Sequence, residues 1–185
     1  MLVQELPLTA PAATGERLGS LFDAHHRRIH KLGLRLLGDV EEARDLVQET
    51  FLRAARAVAQ VPAEEPGAEA WLVRVAVNLC HDRHRRRAVR RPHTAPMPRE
   101  AAAGGDEERA HVARSTIRAA LLALPPRRRA IVVLHEIEGR STAEIATLLG
   151  TRPVTVRWHL ALGRRELARA LRPALEANTA PEETP

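Results

Sequence analysis

Apolar residues in this chain recur three and four positions apart. That spacing constrains the fold more than any other feature, because it gathers them on one face of an α-helix and would scatter them over both faces of a strand. Between Glu16 and Leu37 the stripe is Leu18, Leu21, Phe22, Ile29, Leu32, Leu36 and Leu37, and Gly38 ends it. Asp39 with Glu42 makes a capping-box start, and Val40, Ala43, Leu46, Val47, Thr50, Phe51, Ala54 and Val58 give a second stripe. Pro62 and Pro66 mark 60–67 as a loop. A third helix follows, with Trp71, Leu72, Val75, Ala76 and Leu79 facing a core before the sequence turns to HDRHRRRAVRR at 81–91. Only 2% of residues are Phe, Trp or Tyr, so the cores are built from Leu, Val, Ile and Ala, which favours helices over strands. The expected fold class is all-α.

Pro92 to Gly105 holds three prolines, two adjacent glycines and an alanine run without apolar periodicity, the pattern of a flexible linker. Beyond it, Val112, Ile117, Ala120, Leu121 and Leu124 predict a helix stopped by Pro125 and Pro126. A second runs over 127–138, with Ile131, Val132, Leu134 and Ile137 inward and Gly139 as its stop. Ser141 with Glu144 opens a short helix that Gly150 closes, and Pro153 sits in the first turn of a last helix reaching about Leu171. The expected organisation is therefore two small helical domains joined by a flexible linker. In order these are a disordered segment over 1–15, a helical domain over 16–91, a linker over 92–106, a four-helix domain containing a helix-turn-helix over 107–172, and a disordered acidic tail over 173–185.

A helix-turn-helix needs a small residue where its helices cross, a glycine in the turn and a branched apolar residue where the second helix packs back. Ala146, Gly150 and Val156 supply these in order, with Ile145, Leu148, Leu149 and Leu160 completing a small core. Arg152, Thr155, Arg157, Trp158 and His159 are left near the exposed start of the second helix, where base edges and phosphates are met. An ordinary helical hairpin can show the same spacing by chance; the capping box and surrounding arginines favour the DNA-reading alternative.

The formal net charge is +6, and Lys31 is the only lysine among 29 basic residues. Arginine's planar fork suits phosphate and guanine edges, although a genome rich in G and C also raises arginine content. Cys80 is the single cysteine, so an internal disulfide and a multi-cysteine zinc cage are excluded. His25, His26 and His30, and the run His81, Asp82, His84, raise a metal reading that no cysteine cage supports; no metal and no cofactor is expected. No apolar run approaches the ~18 residues of a membrane span, and 1–15 lacks the pattern of a signal peptide. The expected compartment is the cytoplasm.

Three segments, EEARDLVQETFLRA at 41–54, AWLVRVAVNLCHDRHRRR at 70–87 and LPPRRRAIVVLHEIEGRSTAEIATLLG at 124–150 followed by TVR at 155–157, carry in this order a family resemblance. From about Leu18 to Leu171 the chain resembles the extracytoplasmic-function sigma factors, the minimal two-domain sigma subunits of bacterial RNA polymerase. The resemblance implies a non-enzymatic protein that binds core polymerase and directs promoter recognition and opening. It implies core docking through Asp45, Leu46, Gln48, Glu49 and Phe51 on the clamp coiled coil of the largest subunit. It implies contacts to the minus-ten element by Asn78, Asp82, Arg83, Arg85, Arg86 and Arg87, and to the minus-thirty-five element by Arg152, Thr155, Arg157, Trp158, His159 and Arg164. It also implies an anti-sigma partner that could hold the protein at the membrane without its being inserted there. Where the family often reads TVKSRLHRARR, this chain has TVRWHLALGRR, so Trp158, His159 and Leu162 depart from the pattern and leave the minus-thirty-five sequence open. Two rival readings are a stand-alone helix-turn-helix regulator, which would bind its operator without polymerase, and a helical adaptor acting through protein contacts alone.

Overall fold

The structure, a computed structural model, describes residues 10–90 and 105–179, with side chains described over 14–86 and 111–176. The regular structure of these residues is helical throughout: α1 (Ala10–Leu37), α2 (Val40–Arg56), α3 (Glu65–Arg90), α4 (Gly105–Ala123), α5 (Pro126–Val132), α6 (Thr142–Leu148) and α7 (Pro153–Thr179), with a 3-10 turn at Val58–Gln60 and a π turn at Val133–Ile137. The all-α expectation holds.

In the N-terminal module, α1, α2 and α3 bury Ile29, Leu32, Leu36, Leu46, Phe51, Leu72, Val73 and Val77 against one another. Gly33 lets α1 approach α2 closely, since a Cβ there would lie 2.9 Å from the Leu46 side chain. Asp39 caps α2, its side chain accepting from the Glu42 N–H at 2.9 Å. The chain between α2 and α3 is held by Arg17, which donates to the carbonyls of Val58 at 3.1 Å, Val61 at 2.5 Å and Pro62 at 2.9 Å.

The C-terminal module packs α5, α6 and α7 around Ile131, Leu134, Ile145, Val156 and Leu160. Gly163 is where α7 crosses α5, and a Cβ there would come within 2.5 Å of Val132.

Several boundaries differ from expectation. α1 starts at Ala10, so part of the 1–15 segment expected to be disordered is helical; alanines favour it, and Pro11 sits in the first turn where its missing N–H costs nothing. α7 runs through Pro173 to Thr179 instead of ending near Leu171, so the start of the expected tail is helical as well. The helix expected over 127–138 is broken into α5 and the π turn, whose wider winding carries the Glu138 N–H to the Val133 carbonyl at 3.1 Å. Most of the expected linker, 92–104, lies outside the described residues, while its last two positions open α4.

The modules also touch, and one continuous apolar cluster joins them. Arg129 of α5 donates to the Leu36 carbonyl at the end of α1, and to the carbonyls of Leu122 at 2.6 Å and Leu124 at 3.0 Å at the end of α4. At the rim, Arg28 and Arg35 of α1 pair with Glu138 at 2.8 and 2.5 Å, Arg28 reaches Glu69 of α3 at 3.0 Å, and Arg140 pairs with Glu69.

Candidate functional site

Three surfaces carry the chemistry expected from the sequence. The first is the outer face of α2. Asp45 and Gln48 are exposed and Glu49 is half-exposed, beside Arg53 at 3.2 Å. Leu46 is fully buried and Phe51 nearly so, so they support this face from beneath. An open apolar groove, lined by Leu18, Gln48, Phe51, Leu52 and Ala55, runs beside the acids. Leu52 is 51% exposed, and Phe22, also exposed, stacks on His26 with centroids 4.8 Å apart and meets Phe51 edge-on at 4.9 Å. Phe22 and Leu52 were not among the expected docking residues. Leu52 falls out of phase with the α2 stripe, which was the available signal; Phe22 lies in phase with α1 and gave none.

The second surface is the polar end of α3. Asn78, Arg85 and Arg86 are exposed, and Asp82 lies 3.4 Å from Arg85. Arg83 points inward instead, donating to the Glu42 carbonyl at 2.8 Å, so of the expected minus-ten set it is the member engaged within the module. The Arg87 side chain lies outside the described residues. His81 and His84 turn toward α5. Burial and then the Arg127 charge hold His81 below its ordinary pKa; burial and then Arg129 do the same for His84, whose Nε2–H donates to the Leu36 carbonyl at 3.3 Å. Cys80 is buried beside them, and burial pushes its thiol up to about 12, so it is not a nucleophile at neutral pH. Among the described residues, no group of three or more His, Cys, Asp or Glu is arranged to hold a metal ion.

The third surface is the helix-turn-helix. Ser141 and Glu144 form both arms of the capping box, the Glu144 N–H donating to the Ser141 Oγ at 3.2 Å and the Ser141 N–H to Glu144 at 2.8 Å. Gly150 takes the left-handed conformation, φ +59°, which turns the chain sharply from α6 toward α7. Ala146 and Val156 are buried at the crossing, as the motif requires. Arg152, Arg157 and Trp158 are exposed, while Thr155 and His159 are half-buried, the His159 ring meeting the indole edge-on at 4.7 Å. Arg164 is exposed but paired with Glu136 at 2.7 Å. The motif thus presents cations and one indole outward and keeps its large apolar residues, Val154 excepted, inward or half-covered.

Residues 21–90 match the sigma-70 region 2 family and residues 114–167 the sigma-70 region 4 family. The chain is 38% identical over 166 residues to the ECF RNA polymerase sigma factor SigE of Mycolicibacterium smegmatis, a match that takes in 84% of this chain and 63% of SigE. It is 34% identical over 166 residues to the ECF RNA polymerase sigma factor SigM of Mycobacterium tuberculosis, covering 89% of this chain and 83% of SigM. In fold it is similar to the sigma factor RpoE of Bartonella quintana, solved in complex with the anti-sigma factor NepR, with TM-score 0.62 and 18% identity over 86% of this chain and 97% of that one.

Proposed function

The chain belongs to the extracytoplasmic-function RNA polymerase sigma factors, and on that premise we propose that α2 docks it on core polymerase while α3 and α7 read separate parts of one promoter. The observation that carries this reading is the division of labour among exposed surfaces. An acidic face with an apolar groove on α2 suits a protein partner, and two arginine-bearing helix ends suit nucleic acid.

On α2, Asp45, Gln48 and Glu49 are the polar contacts to the clamp coiled coil of the largest subunit, with Phe22 and Leu52 adding apolar area at the groove. On α3, Asn78 and Asp82 face an unstacked base of the minus-ten element, and Arg85, Arg86 and Arg87 hold the single strand by its phosphates. Extruding a base costs a few kcal/mol, which such contacts must offset. On α7, Arg152, Thr155, Arg157, Trp158 and His159 enter the minus-thirty-five major groove. The protein works by binding, breaks no bond, and acts in the cytoplasm where polymerase is. An anti-sigma partner that covers the α2 groove would block docking directly.

Run-off transcription with purified core polymerase on genomic promoters tests the function. Promoter-specific transcripts that require this protein are the expected result; their absence, together with a gel shift by the protein alone, would favour a stand-alone regulator. Substituting Asp45→Ala and Glu49→Ala together is expected to weaken core capture about tenfold or more without altering thermal stability, since neither side chain is buried. Undiminished capture in a pull-down would remove α2 as the docking face.

A further inference from the structure

Along the outer side of α7, Val154, Trp158, Ala161 and Arg165 succeed one another at spacings of four, three and four residues, which places them on one face. All four are exposed, Val154 at 60% and Trp158 at 57%. Val156, Leu160 and Gly163 occupy the opposite side and are buried. The face that leads away from the core of the helix-turn-helix is therefore apolar for two turns from the helix start and ends in a cation. Arg152 precedes it and Arg157 flanks it, both exposed.

We propose that Val154 and Trp158, with Ala161 behind them, read thymine C5-methyl groups in the upstream promoter duplex, making this an A·T-reading recognition helix. The inference rests on α7 being the duplex-reading helix and goes beyond it by naming what is read. Cations on the flanks match phosphates on the groove walls, so the face is complementary to DNA in charge. Of the groups a major groove offers, the thymine methyl is the apolar one, and it pairs with apolar side chains, whereas guanine and adenine edges call for hydrogen-bonding forks. An indole and a valine carry no such fork toward the groove floor. Arg157 and Arg165 remain for flanking G·C pairs or phosphates.

Deoxyuridine pairs as thymidine does and lacks only the methyl group. Holoenzyme reconstituted from core polymerase and the full chain is presented with a duplex library randomised upstream of the start site, prepared once with thymidine and once with deoxyuridine. Thymine should be enriched at one or two upstream positions, and replacing it there by deoxyuridine should weaken binding about fourfold per methyl, the worth of burying one such group. Trp158→Ala and Val154→Ala should each reduce that thymine-to-uracil ratio toward one, and Trp158→Phe should keep part of it. Circular dichroism confirms that each variant is folded. If an upstream element is selected without thymine, or the ratio is one for the unsubstituted protein, or it survives both alanine variants, the inference is overturned while the duplex-reading role of α7 stands. If holoenzyme initiates but selects no upstream element at all, the role itself fails. Loss of polymerase or partner binding in Trp158→Ala with the ratio unchanged would assign the indole to a protein contact and also overturn it.

Discussion

Arg129 is a cation satisfied by carbonyls. Its guanidinium takes the Leu36, Leu122 and Leu124 oxygens, which belong to the C-terminal ends of α1 and α4, so one side chain caps two helices where their dipoles are negative. Burial pulls its pKa down only to about 10, and it stays charged at neutral pH. Arg129→Ala leaves three carbonyls short of a donor, and a loss of roughly 2–4 kcal/mol in unfolding stability is expected by urea denaturation. Arg129→Lys, whose single ammonium lacks the planar fork, should recover only part of it. A loss below about 0.5 kcal/mol for Arg129→Ala would remove this account. None of this was legible in the sequence, where Arg129 sits in the run Arg127–Arg129 and reads as one more basic residue. Its partner Leu36 lies 93 residues earlier, and a spacing rule does not reach that far. The inward contact of Arg83 was not legible for a similar reason: its partner, the Glu42 carbonyl, is 41 residues away.

Short-range features were read correctly where the physics is short-range. The capping box at Ser141, the glycine at 150 and the crossing pair Ala146 and Val156 all involve neighbours within a few turns, and the structure forms each of them. The π turn at Val133–Ile137 and the length of α7 were not legible, because they depend on how several helices fit at once. The groove on α2 was half legible: its acids follow from the sequence, but the exposure of Phe22 and Leu52 depends on what fails to cover them. For α6 the cap makes a definite prediction. Ser141→Ala removes the acceptor of the Glu144 N–H and should cost about 1 kcal/mol. The hydrogen bonds from the Ser141 hydroxyl and N–H also hold the Glu144 carboxyl below the usual glutamate range. A lowered folded pKa means that this contribution is present above the unfolded value and is lost as pH falls through the folded one. Thermal melts of the two proteins should therefore differ most near neutrality and by less in acid, where the hydroxyl still accepts from the backbone N–H; a gap that is constant with pH would count against the reciprocal cap.

At the scale of the whole molecule, the packing of the two modules conflicts with the proposed function unless it is reversible. The two promoter elements are separated by about 25 base pairs by their names, which at ~3.4 Å per pair is roughly 85 Å. A chain of this length folded as one body has a radius of gyration near 16 Å and is only about 40 Å across. Contact between α5 and the ends of α1 and α3 must therefore break before both elements are held together. The rim pairs that cross between the modules, Arg28–Glu138, Arg35–Glu138 and Arg140–Glu69, are partly exposed and individually weak, so salt should loosen them first. The buried part of the seam responds to acid. His81 and His84 on α3, next to Asp82 and Arg83, face Arg127 and Arg129 on α5 and the Leu36 carbonyl of α1, and both histidines are held below their ordinary pKa while the seam is closed. Opening returns them toward 6.5, so the open form binds more protons. The seam is then fully favoured above that value and weakened as pH falls through it. Small-angle scattering should show the radius of gyration rising between about pH 7.5 and 5.5, more steeply than it rises with added salt, because screening scarcely reaches the buried arginine. His81→Gln with His84→Gln should flatten the acid response and leave the salt response in place. A radius unchanged by acid in the unsubstituted protein would show that these histidines do not govern the seam, and the opening would then have to be driven by core polymerase alone.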